Sequence, residues 1–491
     1  MIADHFSLAC LVAAAFTAFT AFYLLKVVYR LYFHPLSNFQ GPRAAAVSRQ
    51  WQVKLVGAGF PEIEYEKLHK DFGTKALRIG PNQLHISDPS LYKVIYSQVN
   101  PFPKEQYFYD SFGTPHTLFA ETETQLHKER RKLLNPLFSK SGVTKLEPLI
   151  VEKVEQVVSK IKRVAKAGPI NVGNAFRCMT VDIITEFAFG KCANLMDEQP
   201  TSFDSELLMA LDLATETPYK VYYSAMLRLA AKWIPLPIAA RFDPALKQMS
   251  NLVQLAASSH DEYTRRTTNS SHPVIFDHLR SVPDELQKSE SVDILVAGSD
   301  TSAFTLTTAL HHILSIPEVE KKLVESLDET FGQSQALPSL LQLEQIKYLR
   351  ACVNEALRIA MPVPSVLPRI VPHRPQPFVV DGKVVPPGTL VGMSAYTMHY
   401  DPEIWGSDAK SFNPARWLGP DAKHLETHIC TFSKGSRQCI GINVAYAEIT
   451  IALAHLFRKF KMELKSKHLF AEDRFTQQLL APGVLVDFQP R

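Results

Sequence analysis

The chain has 491 residues, 46% of them hydrophobic and 21% charged, which supplies apolar side chain for a large core and excludes wholesale disorder. Its 53 basic and 49 acidic residues leave a formal charge of +4, too even a balance for a nucleic-acid partner. Six cysteines without short repeated spacing fit reduced thiols better than a disulfide framework. No C-x2-4-C pair exists to build a structural zinc site from Cys430, Cys439, His424 and His428.

In chain order, the first element is a run without charge from Phe6 to Leu25, long enough to cross a bilayer as a helix. Its Leu, Val and Phe residues favour insertion by roughly 3–5 kcal/mol in all. A cleaved signal peptide would have a basic start and a shorter apolar stretch. Here Asp4 precedes the run and Lys26 and Arg30 follow it, so the basic end is expected in the cytosol. Residues 1–30 therefore read as an anchor with a helix over about 6–25, and residues 31–45, with His34-Pro35 and Gly41-Pro42-Arg43, as a proline-bearing hinge. Residues 46–491 show no repeat or second linker and read as one folded unit. Within it, 77–86 (LRIGPNQLHI) predicts a hairpin, and the spacing predicts helices from Thr122 to Phe138 and Leu146 to Lys166. Most of 175–330 reads as helices separated by prolines, and Pro372 to Gly392 as further strands. The fold class is mainly α with minor β.

The most informative segment is Phe432-Ser-Lys-Gly435-Ser-Arg437-Gln-Cys439-Ile-Gly441, leading into a helix. Backbone N–H groups and a helix N-terminus there favour a thiolate, and glycines allow close backbone approach. A lone buried cysteine is more often structural, so the neighbours decide. Glu355-Ala-Leu-Arg358 puts an acid and a base on one helix face, and Phe412-Asn-Pro-Ala-Arg416-Trp417 follows. Ala297-Gly-Ser-Asp300-Thr301 lies in a helical run, His127 and Arg131 are spaced i, i+4, and Leu367-Pro368-Arg369 lies eleven residues past Arg358.

These motifs, in this order, resemble the cytochromes P450. The cysteine segment matches F-x-x-G-x-R-x-C-x-G at every fixed position, with Phe432 and Gly441 among them. The resemblance implies a single catalytic domain holding haem b (iron protoporphyrin IX), with Cys439 as axial ligand of the iron and Arg437, Arg369, Arg131 and His127 as propionate partners. His127 stands where the family has tryptophan. Glu355, Arg358 and Arg416 become a structural triad. Small residues from Ala297 leave room beside the haem, Thr301 helps hold dioxygen and its waters, and Asp300 feeds protons to them. The approach from Lys288 to Ala297 reads several residues shorter than the resemblance leads one to expect.

The implied reaction inserts one oxygen atom from O2 into an apolar small molecule. No G-x-G-x-x-G nicotinamide or flavin motif is present, so NADPH acts indirectly, through a separate NADPH–cytochrome P450 reductase docking on the Cys side, where Lys128, Lys132, Lys140 and Lys434 offer a basic patch. Val363, Val366 and Leu367 with Phe102, Tyr107, Phe108, Tyr109 and Phe112 suggest the substrate pocket. The style of the sequence is similar to fungal secondary-metabolism members such as trichodiene oxygenases, implying a terpenoid or polyketide substrate. The expected location is the endoplasmic reticulum membrane, single-pass, with the catalytic domain cytosolic. The rival readings are a haem isomerase or dehydratase of the same fold and a non-enzymatic haem-binding protein.

Overall fold

The computed structural model describes residues 2–266, 270–332 and 338–491, with side chains from Cys10 onward. The first helix, Ile2–Val28, is longer than its apolar run and passes into one π-helical turn, Tyr29–Phe33. Among the described residues the stretch Cys10–Phe33, 24 residues of mean hydropathy 1.9, is long and apolar enough to cross a membrane, and none of its most apolar window is buried. The segment expected as a hinge is packed rather than free. Leu36 and Phe39 are buried, Arg30 donates to Val47 O, and Arg78 donates to Arg30 O (3.0 Å). A Cβ on Gly41 would lie 2.3 Å from Arg78 O, which explains the glycine before Pro42.

The predicted hairpin forms from Ala76–Gly80 and Gln83–Ile86. Leu390–Gly392 adds to it in parallel and Arg369–Ile370 closes a four-stranded sheet. Phe378–Val380 and Lys383–Val385 make a separate hairpin whose turn, Asp381-Gly382, has positive φ at both residues (50° and 70°), the conformation that Asp-Gly tolerates best. The C-terminal strands were not foreseen. Leu485–Pro490 pairs with Phe460–Leu464 on one side and with Ile170–Asn171 on the other, and Ala471–Arg474 pairs with Thr476–Leu479.

Helix dominates the rest. Thr124–Phe138 and Lys140–Val164 correspond to the two predicted helices, the second starting earlier than expected. Val172–Phe189, Glu206–Tyr223, Ala225–Trp233, Pro244–Thr264, Asp284–Ser315 and Pro317–Phe331 follow, with Pro244 and Pro317 at helix starts and Pro283 capping a third, where the missing N–H costs nothing. The central helix, Asp284–Ser315, runs unbroken for 32 residues, so the short-looking approach to Ala297 leaves it intact. It is packed on most sides, against Val172–Phe189 above all. A Cβ on Gly298 would come within 2.5 Å of the Ile184 side chain, and Thr180 donates to Ser299 O. Gly298 is thus small to admit a neighbouring helix.

Candidate functional site

The Cys439 loop is shaped by its glycine and its backbone. Gly435 has φ +74°, and a Cβ there would meet the carbonyl oxygens of Tyr96 and Ser97 at 2.3 and 2.4 Å. The Cys439 N–H donates to Phe432 O (2.9 Å), and the helix Ile442–Lys459 begins just after Gly441. Cys439 is exposed at the foot of a recess whose walls desolvate it. That burial pushes the thiol up, against the opposing pull of the Gly441 N–H and Arg131. The helix start therefore does not by itself ionise the thiol. A bound metal would, since coordination deprotonates a thiol outright.

Cations surround this loop. Arg131 donates to Gln438 O (2.6 Å), and Arg437 to Glu121 O and Thr122 O (2.7 and 3.1 Å). Arg369, 1% exposed, donates to the Tyr109 hydroxyl (2.8 Å) and to the carbonyls of Leu367 and Pro368. All of these acceptors are neutral, and Arg369 Nε is buried without a hydrogen-bond partner. Burial, then repulsion from Arg369, pulls Arg437 down to about 10. His127 is buried and driven down to about 2 by desolvation and by Arg437, Lys104 and Arg131. A buried charge such as that of Arg369 is costly without a counter-ion, so an anion placed among Arg369, Arg437 and Arg131 would stabilise the cluster. A metal macrocycle with two carboxylates meets both needs, a thiolate ligand and a dianion's partners, and the residues present fit it.

The central helix forms another wall. Asp293, Ala297 and Thr301 are spaced i, i+4, i+8, hence on one face. Ala297 is exposed, and Thr301 Oγ1 donates to Ala297 O (3.1 Å). Asp293, missed in the sequence although the spacing pointed to it, accepts from Thr114 (2.7 Å) and Thr117, and burial raises it to about 6. Its charge and that of Lys104 feel each other, which sets this face beside the cationic cluster. Asp300 points elsewhere. Its carboxylate takes Arg177 Nε and Nη2 at 2.7 and 3.2 Å, and Arg177 also holds Asp212 (2.8 Å). All three line a polar cleft of about 560 Å³. Arg177 carries no sequence signal of this partnership.

Glu355 and Arg358 are fully buried. Glu355 accepts from Arg358 Nε and Nη2 (2.8 and 2.7 Å), Arg416 Nε (3.0 Å), the Asn413 N–H (2.8 Å) and Trp417 Nε1 (2.9 Å). Arg358 donates onward to the carbonyls of His399, Ala409 and Ser411. The expected pocket residues divide. Phe108, Tyr109 and Phe112 cluster with Phe119, Phe475, Val363 and Leu367. Phe102 instead packs on Phe378, and Tyr107 lies under the Arg228 guanidinium. Of the lysines on the Cys side, Lys128 and Lys132 are exposed, Lys140 pairs with Glu344 (2.7 Å), and Lys434 lines a cleft of about 340 Å³ with Gln438 and Arg350.

Comparison with known proteins agrees with this geometry. The cytochrome P450 family profile matches residues 52–483, and the chain belongs to that family. It is 31% identical over 472 residues to the cytochrome P450 monooxygenase macH of Penicillium terrestre, covering 91% of this chain and 90% of that one. It is 32% identical over 488 residues to the monooxygenase pbrB of Penicillium brasilianum, covering 94% and 93%. In fold it is similar to the haem domain of cytochrome P450DA, with TM-score 0.73 at 17% identity, covering 88% of this chain and 93% of that one. The protein is a P450 monooxygenase, of a haem family, and these relatives do not favour the isomerase or the non-enzymatic reading.

Proposed function

We propose that Cys439 is the axial thiolate ligand of haem b and that Arg437, Arg369, Arg131 and His127 hold its propionates. The observation that carries this is a group of arginines, Arg369 buried and Arg131 and Arg437 half-buried, bonded only to neutral oxygens beside an exposed cysteine. Phe432 positions the ligand through its carbonyl, and Gly441 offers its N–H to the sulfur. Glu355, Arg358 and Arg416 brace the loop-bearing half of the fold.

When bound, thiolate-ligated haem supplies activation of dioxygen and insertion of one of its atoms into a C–H bond. The chain's own residues do the rest. Ala297 keeps the central helix low on the site side. Thr301 turns its hydroxyl from Ala297 O to hold a proton at the site. Asp300, bonded to Arg177 at the polar cleft, takes protons from that cleft and passes them along the helix, a form of general acid catalysis. The aromatic wall of Phe108, Phe112, Phe119 and Phe475 excludes water and receives an apolar substrate, which we read as a terpenoid or polyketide of fungal secondary metabolism.

Electrons reach the Cys face from NADPH–cytochrome P450 reductase, steered by the exposed cations Lys128 and Lys132 with Lys434. Residues 1–30 anchor the protein in the endoplasmic reticulum membrane as a single pass, and residues 46–491 form the cytosolic catalytic domain. A second apolar surface supports membrane seating. Met226, Leu229, Trp233, Ile238 and Phe242 are exposed on or just beyond Ala225–Trp233. That helix reaches the anchor side through Arg228 on Tyr107, Tyr107 on Arg49, and Arg30 on Val47.

The test is a carbon monoxide difference spectrum of the dithionite-reduced protein, wild type beside Cys439→Ala. A red-shifted Soret band confined to wild type is expected, and its absence from well-expressed wild type overturns the assignment. A spectral-shift screen of terpenoids and polyketides, then NADPH-driven turnover under 18O2 with reductase, should label the product with one atom of 18O.

A further inference from the structure

Lys104 had no place in the sequence motifs. It is 8% exposed, and its backbone forms an isolated antiparallel bridge with Arg369, so the two side chains leave on the same face. They converge on one ring. Lys104 Nζ lies 4.3 Å from the centre of Tyr109, whose hydroxyl receives Arg369 Nη1 at 2.8 Å. The ammonium donates to Phe119 O (2.5 Å) and lies 5.4 Å from the centre of the Phe119 ring. Among the described residues that carbonyl is its one hydrogen-bond acceptor, whereas an ammonium has three N–H donors.

Its electrostatics repeat the pattern. Burial first, then repulsion from Arg369 and Arg437, pulls Lys104 well below its ordinary value, and Asp293 and Glu121 offset this only at longer range. A lysine held by backbone pairing among two arginines, with no carboxylate in contact among the described residues, has the surroundings of an anion ligand. Cation–π contact with two rings offsets desolvation in part.

We propose that Lys104 is a further anion-holding residue of the haem site, donating to a propionate beside Arg369 and Arg437. The inference rests on the haem reading above. Charge-assisted hydrogen bonds contribute about 1.5–3 kcal/mol, which corresponds to about tenfold or more in haem retention.

The experiment measures haem transfer from the holoenzyme to excess apomyoglobin, and the ferric–ferrous midpoint potential, for wild type, Lys104→Met, Lys104→Gln and Lys104→Arg. Met and Gln variants are expected to release haem about tenfold faster and to show a more negative midpoint, because a positive charge near the iron is gone. Arg is expected to stay close to wild type. Gln keeps a donor for Phe119 O, so it carries the comparison if Met does not fold. Release at the wild-type rate or slower overturns the proposal, since an uncompensated buried charge is often replaced by an apolar group with a gain in stability. Equal acceleration in all three variants with an unmoved midpoint also overturns it, in favour of packing alone. Wild type lacking the carbon monoxide band would instead overturn the haem reading.

Discussion

Glu355 takes five hydrogen bonds at zero exposure, from two arginines, a backbone N–H and an indole. Removing one member leaves the others charged and buried, so Glu355→Ala is expected to cost about 3–5 kcal/mol, read as a lowered denaturant midpoint of the holoenzyme. An unchanged midpoint would mean that the network relaxes or floods with water. Gly435 makes a sharper case, because both its positive φ and two backbone oxygens forbid a side chain. Gly435→Ala should displace the Cys439 loop and abolish the carbon monoxide band while helix content stays within a few per cent of wild type, read by far-UV circular dichroism. Both residues were legible in the sequence through short motifs. Arg177 was not, because it meets Asp300 123 positions away and neither side of that contact repeats in a local pattern.

At the scale of elements, the central helix depends on close approach to Val172–Phe189. Gly298→Val drives Cβ into Ile184, and overpacking of this kind typically costs about 1–3 kcal/mol. Thermal unfolding measures it, and a simultaneous Ile184→Ala should recover part of the loss. The same small residues looked like room beside the haem when only the sequence was considered. A helix packed on most sides has no apolar stripe to tell its faces apart, so the helix itself was legible and the task of each face was not. The apolar surface around Ala225–Trp233 bears on membrane seating. Deleting residues 1–28 should leave part of the protein with membranes, and adding Trp233→Lys and Phe242→Lys should release it, checked by fractionation. Full release by the deletion alone would assign seating to the first helix only.

For the whole molecule, buried titratable groups set the pH dependence of stability. Desolvation raises Glu62 and Glu448 to about 8 and Asp473 to about 7. The folded state keeps each protonated where the unfolded chain ionises it above about 4. Each therefore lowers stability as pH rises from about 4 to its folded value. Desolvation holds His69, His85 and His399 at about 3 and His312 at about 4. Unfolded histidine takes a proton below about 6.5, so these four remove stability as pH falls below that point. Below it Glu290, raised to about 7, and His127, lowered to about 2, join the two opposing sets, and above it the carboxyls act without the histidines. Stability should decline from pH 6.5 to about pH 8, with Glu62→Gln flattening that decline. Melting temperatures at pH 6.5 and 8.5 check it, and a higher value at 8.5 than at 6.5 contradicts it.

The sequence alone determined the fold class, the order of the early strands and main helices, and the motifs of the candidate site. Phe432 to Gly441, Glu355 to Arg358 and Ala297 to Thr301 are contiguous, and their chemistry is set by spacing along one loop or one helix turn. Only the tertiary structure decided what meets across the chain. It seated Leu36 and Phe39 of the supposed hinge in the core, paired Arg177 with Asp300, and brought Lys104 against Arg369. It also formed the strand pairs after residue 460. The reason is that local spacing specifies which side of an element a residue occupies, whereas the partner of a buried charge or strand edge is chosen by packing among segments far apart in sequence.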